Sequence, residues 1–358
     1  MLPVEIVVEK AALQRMPEIR DKLSLGRSCL VVDDVNTRSV AGLSIIDALK
    51  EDGCQASEVV VDRPDEANVK KVVEALGREC FLIGVGGTSV LDVAKLAAHR
   101  KGVRYILFST GMANSGIISA TSSIYVGDRK ESIPVTLADA VVVDLSIVSR
   151  APDWMVAAGC GDLLIEATAI KDWQLGRDEV AESYCDSIAE LEMSTLDYIL
   201  HRADSIKART EDGIEFLVDA LIVSGLGMAI WGSSRPSSGS EHLWSHWLDH
   251  FAEENGMTFG RHGEQVGVGT LLMAKYHEYH NPNWWDKTLH PNYQAQALRS
   301  FLRKIGGPTT PAEIGVSRDL TIRALLSARE YRRERYTILH KRPPNVEDAE
   351  RVMKELGM

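Results

Sequence analysis

Cysteine is scarce in this chain. The five residues, Cys29, Cys54, Cys80, Cys160 and Cys185, are odd in number and scattered. No C-x-x-C spacing occurs, which excludes a zinc ribbon or a dithiol redox pair and predicts reduced, mostly buried thiols. Concentrated positive charge is also missing: 51 acids stand against 40 bases, for a formal charge of -11. Without a dense Lys/Arg block, no nucleic-acid partner is expected. The apolar runs "FLIGVGG" from Phe81 and "AVVVDL" from Ala140 fall far short of the ~20 residues that span a bilayer, so no membrane insertion is expected. The N-terminus, "MLPVEIVVEKAALQRM", mixes charges with apolar residues and lacks the basic and apolar regions of a secretory signal. A cytoplasmic protein is predicted. Internal repeats and low-complexity segments are absent as well.

What the chain does contain is enough apolar material, 45% of 358 residues, for about two domains with sizeable cores. In the first part, β-branched runs alternate with helical patterns. "CLVVDD" (29–34) precedes "TRSVAGLSIIDALKED", "EVVVD" (58–62) precedes "DEANVKKVVEALG", and "CFLIGVGG" (80–87) precedes "TSVLDVAKLAAHRKG"; "YILFST" (105–110) follows. Continuous apolar strands alternating with helices predict a doubly wound α/β domain whose mostly parallel sheet carries helices on both faces. "SSIYVGDRKESIPV" reads as an antiparallel excursion turning at Gly127-Asp128, before a last strand "AVVVDL". Beyond Pro152 the β-branched runs nearly vanish and helical periodicity takes over. Residues 1–152 are therefore expected to form an α/β nucleotide-binding domain, and 153–358 an all-helical one. Asn345 is the expected N-cap of a final short helix.

"GVGGTSVLDVAK" (84–95) stands where a strand passes into a helix. Glycines there let a ligand approach the backbone, and the first N–H groups of the helix, at Thr88, Ser89 and Val90, favour an anion such as a pyrophosphate. A tight connection is the structural alternative, since the G-x-G-x-x-G fingerprint is not present. In "VVDD", Asp33 at the end of the first strong strand is placed to take adenosine ribose hydroxyls and to favour NAD over NADP, unless it caps the helix near Thr37. "AAGCGDLLIEATAIKDWQL" reads as opening a helix with Asp162 near its start. Asp162 could be an ordinary first-turn acid, or a carboxylate ligand grouped with His242 and with His262, whose flanking Gly260 and Gly263 leave room beside the imidazole. One carboxylate and two histidines with an open position suit catalytic zinc, or iron. His242, His246 and His250 fall at steps of four on one helical face. Arg235 and Lys275 read as structural or surface cations before phosphate contacts.

Several stretches together, "GVGGTSVLDVAK", "GCGDL" with "KDWQL", "GSSRPSSGSEHLWSH", "RHGEQVGVGTLLMAK" and "RERYTIL" with "KRP", resemble the sn-glycerol-1-phosphate dehydrogenases. These belong to the superfamily of iron-containing alcohol dehydrogenase, glycerol dehydrogenase and dehydroquinate synthase. The resemblance covers essentially the whole chain, in order, and "GCGD" and "SRPSSGSEH" are its specific pieces. It implies an N-terminal NAD(P)-binding sheet, a C-terminal helical domain, and substrate and metal in the cleft between them. It implies zinc, with Fe2+ or Ni2+ as substitutes, on Asp162, His242 and His262. Asp162 and His246 would be catalytic and would contact the substrate. Cofactor contacts would fall on Gly86, Gly87, Thr88, Ser89, Val90, Thr110, Gly111, Met112, Ala113 and Ser119. One departure concerns the substrate loop, where Asn114 and Ser115 stand in place of the family's His-Asp. Ser115 carries no charge, which makes the pocket more tolerant of a differently charged or hydroxylated substrate. A second is Asp33, where the family often has a small residue.

The expected reaction is reversible hydride transfer between a nicotinamide cofactor and dihydroxyacetone phosphate, giving sn-glycerol 1-phosphate, in a homo-oligomer. His246 would orient a hydroxyl or pass a proton. The alternatives are a dehydrogenase of another polyol, hydroxyphosphonate or sugar phosphate, an NAD- and zinc-dependent sugar-phosphate cyclase, and a nucleotide-binding regulatory protein on the same scaffold.

Overall fold

The computed structural model describes every residue except Met1, Arg78 and Asp128, and all side chains of the rest but that of Arg129. The chain divides into two compact units, Met1–Met155 and Val156–Met358.

The first unit is built on eight strands: β1 (Glu5–Glu9), β2 (Ser28–Asp33), β3 (Gln55–Val60), β4 (Phe81–Gly86), β5 (Tyr105–Ser109), β6 (Thr121–Val126), β7 (Arg129–Pro134) and β8 (Ala140–Asp144). Six of them form one sheet in the order β1-β8-β5-β4-β2-β3, every pair parallel. Helices α1 (Met16–Lys22), α2 (Leu43–Glu51), α3 (Glu66–Ala75) and α4 (Thr88–Lys101) make the crossovers, and a single turn, α5 (Leu145–Val148), follows the last strand. The central strands β4, β5 and β8 are buried along their full length, as a sheet covered on both faces requires. Chain order reverses between β2 and β4, so the carboxyl ends of these two strands border the crevice where such sheets bind ligands.

β6 and β7 form a separate antiparallel ribbon. Its turn includes Gly127 at a left-handed φ of 66°; Asp128, the other half of the expected turn signal, lies outside the described residues. β1 was not expected from the sequence. The run "EIVVE" is short and acid-flanked, and half its side chains need no burial because the strand lies at the sheet edge beside β8.

The second unit is all helical among its described residues. α6 (Asp153–Leu164) leads into α7 (Glu166–Val180), α8 (Asp186–His201), α9 (Ala203–Lys207), α10 (Glu211–Trp231), α11 (Ser240–Asn255), α12 (His262–His280), α13 (Ala295–Ile305), α14 (Arg318–Ser327), α15 (Ile338–Lys341) and α16 (Val346–Glu355). Asn345 caps α16 by accepting the Asp348 N–H. The longest apolar element lies here and not in the strands singled out from the sequence. α10 has the length and composition to cross a membrane, but Leu217, Val218 and Leu221 are buried in this unit and the helix packs against α8 and α9. Asp219 within the run hid it from inspection.

Close helix crossings set the geometry of this unit. A Cβ on Gly161 of α6 would lie well inside 3.0 Å of the Gly263 carbonyl oxygen of α12, and a Cβ on Gly263 would strike the Ala158 carbonyl oxygen in return. On another side of α12, a Cβ at Gly269 would come within 3.1 Å of the Glu241 carbonyl oxygen of α11. The glycines of "GCGD" and "GEQVGVG" thus let backbone approach backbone.

Candidate metal centre and nucleotide turn

Those crossings converge three side chains from three helices. Asp162 from α6, His242 from α11 and His262, the first residue of α12, place one ligand-capable atom each within 4.8 Å of one another. His262 Nε2 lies 3.7 Å from Asp162 Oδ1. Two sequence expectations need correction. Asp162 lies near the C-terminal end of its helix, not at its start, because Gly161 sits inside α6 as a contact surface for α12. Gly260 and Gly263 do not clear space beside the imidazole; Gly260 accommodates Ile314, and Gly263 accommodates the backbone of α6.

The donor set fits a divalent ion. His242 Nδ1 stands 3.0 Å from Glu241 Oε1. A carboxylate can only accept, so Nδ1 carries the proton and Nε2 is left with its lone pair for a ligand. Glu241 is itself held by Thr168 Oγ1, which donates at 2.6 Å. Gln265 secures the approach to His262: it accepts from Ser245 Oγ at 2.7 Å and donates to Asp249 and to the Gly260 carbonyl. Two imidazoles and one carboxylate make three protein ligands, the number a catalytic zinc or iron site uses when it keeps a position open.

His246, one turn beyond His242, joins the group, its ring centroid 5.9 Å from that of His242 and 6.3 Å from that of His262. Tyr331 stacks on His246 at 5.9 Å with an interplanar angle of 17°. His250 faces Glu254 and Tyr331 and stays an ordinary packed helix residue. Behind Asp162, Glu166 and Glu192 are completely buried. Burial and mutual repulsion push Glu166 well above the usual carboxylate range, and burial pushes Glu192 up to about 8. Both carboxyls thus favour the protonated form more than an exposed glutamate does, with burial as the first cause.

Asp172 of "KDWQL" organises this part of the unit. Fully buried, it accepts from the Ser240 N–H and the Ile338 N–H at 2.6 Å each, and its Oδ1 is 3.1 Å from His277 Nε2. It therefore caps the helix that carries His242 and the short α15. Arg235 is structural: it holds Glu182 at 2.6 Å and the carbonyls of Asp172, Tyr336 and Ser238. Lys275 pairs with Glu278 and Glu355.

In the first unit, the turn after β4 has the features of an anion cradle. Gly87 caps α4 with no side chain in the way, and nothing lies within 4 Å of where its Cβ would be. The N–H groups of Thr88 and Ser89 precede the first intrahelical bond. The Val90 N–H, expected to be free, already donates to the Gly87 carbonyl at 3.0 Å, and Gly86 is needed because a Cβ there would collide with Val90. Asn114 donates to Thr88 Oγ1 and accepts the Gly116 N–H, which ties the following loop to the turn. Ser115 starts a short 3-10 turn and is 5% exposed. Lys95, wholly buried beside Asp92, donates to the Gly116 and Thr121 carbonyls and anchors Ser119. In the Thr110–Ala113 segment, the Thr110 N–H donates to the Gly86 carbonyl and Met112 is completely buried.

Asp33 differs from expectation. Its carboxylate is wholly enclosed against the α-carbon of Gly42, with no hydrogen-bond partner among the described residues. Burial, reinforced by Glu58, pushes it up to about 7. It is not presented to a ribose, and the preference for NAD inferred from it loses its support. Asp34 performs the capping instead, accepting from the N–H groups of Asn36 and Thr37.

One unit thus carries a parallel sheet with a glycine turn, and the other an Asp/His/His cluster on helices. A family model described as "Iron-containing alcohol dehydrogenase" matches residues 7–152. The solved glycerol dehydrogenase of Schizosaccharomyces pombe superposes with a TM-score of 0.75 at 21% identity, covering 99% of this chain and 89% of that one. Maleylacetate reductase from Agrobacterium tumefaciens gives 0.78 at 16% identity, over 99% and 96%. Sequence relatives are more specific. The glycerol-1-phosphate dehydrogenase [NAD(P)+] of Methanothermobacter thermautotrophicus is 37% identical over 99% of this chain and 96% of its own, and that of Thermococcus sibiricus is 35% identical over 100% and 97%. The chain belongs to the glycerol-1-phosphate dehydrogenase family.

Sequence reasoning reached the three clustered residues and His246. It missed Glu241, Gln265 and Tyr331. Glu241 precedes His242 by one residue, a spacing at which helical side chains ordinarily diverge, and Tyr331 comes from a segment far away in sequence.

Proposed function

We propose that the protein is a metal-dependent NAD(P)-linked dehydrogenase that interconverts dihydroxyacetone phosphate and sn-glycerol 1-phosphate. The observation that carries the reading is the convergence of Asp162, His242 and His262 within 4.8 Å in a chain of this family. Those three side chains would hold the divalent ion. When bound, the ion supplies Lewis-acid polarisation of a carbonyl oxygen. Glu241 keeps His242 in the tautomer that offers Nε2. His246 orients the substrate and holds the proton exchanged with its oxygen, a role suited to an imidazole near neutral pH, and Tyr331 fixes the plane of that ring. The turn at Gly86–Ser89, with Thr110–Ala113 and Ser119, would bind the cofactor through backbone donors.

Ser115 favours a second reading within the same chemistry. A buried hydroxyl at that place lacks the charge of a carboxylate, and it suits a related polyol, hydroxyphosphonate or sugar phosphate. A homo-oligomer that neither binds nucleic acid nor inserts in membranes, working in the cytoplasm, completes the proposal; the charge of -11 supports its nucleic-acid part. The test is a panel of phosphorylated and unphosphorylated ketones followed by oxidation of NADH and NADPH. Turnover of dihydroxyacetone phosphate above all others supports the first reading. A preference for another ketone supports the second, and absence of net cofactor oxidation with any of them defeats both.

A further inference from the structure

We infer that Arg335, with Arg332 beside it, receives the anionic phosphate end of the substrate where the loop Ser233–Gly239 enters α11. The inference rests on the proposed reaction and deepens it: the site would select a phosphate monoester over the free alcohol or ketone.

The arginines of the "RRERY" segment are not equivalent. Arg333 is exposed and pairs with Glu330 at 2.7 Å. Arg335 makes no ion pair among the described residues. Its Nη1 donates to the Ser238 carbonyl at 2.8 Å and the Ser234 carbonyl at 3.4 Å, and its Nη2 donates to Ser234 Oγ at 3.2 Å. These bonds leave the Nε–H and the second Nη2 hydrogen unused. That pair of donors is the edge with which Arg235 holds Glu182 bidentately. A guanidinium edge of this kind matches two oxygens of a carboxylate or a phosphate.

Burial, then the like charges of Arg332 and Arg235, push Arg335 down to about 9, against the opposing carboxylates of Glu241 and Glu182. A guanidinium keeps its proton in proteins, so Arg335 remains a cation here. The side chain nevertheless keeps partial solvent access, so a ligand can reach it.

Position connects the cation with the metal centre. Tyr331, four residues before Arg335, stacks on His246, and Ser238, which Arg335 holds, lies four residues before His242. The turn Tyr331–Arg335 thus touches α11 at His246 through its first residue and holds the loop entering α11 through its last, and a phosphorylated substrate bound beside those histidines would turn its phosphate toward this cation.

Arg335 could otherwise be only a clamp on the Ser234–Ser238 loop, and kinetics separate the two roles. In Arg335→Gln, kcat/KM for dihydroxyacetone phosphate is expected to fall by about 10- to 100-fold, the worth of a charged hydrogen bond or two, while that for unphosphorylated dihydroxyacetone stays within about threefold. Arg335→Lys should recover part of the loss. An equal fall on both substrates, or none, would overturn the inference. Should Arg335→Gln not fold, inorganic phosphate decides: it should compete with dihydroxyacetone phosphate and raise the Tm of the wild type, and do both less in Arg332→Gln. Identical phosphate effects in wild type and Arg332→Gln would contradict the inference. A wild type inactive on every ketone, yet protected by phosphate in an Arg332-dependent way, defeats the proposed reaction and leaves the anion site standing.

Discussion

Replacing Gly161 by Ala adds one methyl group where two helix backbones meet. The new Cβ would lie well inside 3.0 Å of the Gly263 carbonyl oxygen, 3.1 Å from the Gly263 carbonyl carbon and 3.5 Å from the Gly267 α-carbon. No rotamer change relieves a contact with main chain, so α6 and α12 must part by about 1 Å, at an overpacking cost of about 1–3 kcal/mol. For a domain of this size that corresponds to a fall in Tm of roughly 2–12 °C. The functional effect should be larger than the structural one. Asp162 follows Gly161 directly and His262 precedes Gly263, while metal–ligand distances tolerate only about 0.2 Å. Affinity for the ion is therefore expected to drop by about 10- to 100-fold or more. The assay is a zinc titration of chelator-treated protein, with bound metal counted per chain and Tm recorded beside it. Gly87→Ala, where nothing lies within 4 Å, is the control and should leave metal affinity and Tm unchanged. Wild-type zinc affinity in Gly161→Ala would refute the claim that the glycine crossing builds the metal centre.

Asp33 supplies a pH-dependent prediction. Its folded value, about 7, is above the ordinary 3.8, so the native state binds more protons than the unfolded chain between those values. Its contribution is favourable at low pH and is lost as pH rises through about 7; the interval corresponds to about 4 kcal/mol as a ceiling. Asp33→Asn should accordingly gain stability relative to wild type between pH 5 and pH 8 in denaturant melts, and a difference independent of pH would count against the enclosed carboxylate. Asp172→Ala removes the acceptor of two helix N-termini and the partner of buried His277, and should cost about 3–5 kcal/mol by urea unfolding; a change under about 1 kcal/mol would refute its role as the shared cap.

Much of this was legible because strand and helix periods are local properties. The alternation from Cys29 to Ser109 announced the parallel sheet, and the loss of β-branched runs after Pro152 announced the helical unit. The metal cluster was reachable only because "GCGD", "SEH" and "RHG" resemble family motifs; spacing of 80 residues between Asp162 and His242 carries no geometric information. What stayed hidden depends on tertiary contact. The glycines around Asp162 and His262 read as a helix start and as space for a ring, whereas they permit backbone crossings. Asp33 looked available because it ends a strand, and its enclosure comes from the α-carbon of Gly42 on the next turn. Edge strand β1 lacked the continuous apolar run that marks its neighbours, since β8 covers only one of its sides.

The most direct test of the account is turnover against metal content. Chelator-treated protein is given increasing zinc, with dihydroxyacetone phosphate and a reduced nicotinamide cofactor present, and cofactor oxidation is followed. The account predicts activity that rises in proportion to bound metal and saturates at one ion per chain, and no bound ion or activity in His262→Ala. Full turnover in the metal-free protein, or in His262→Ala, would contradict it.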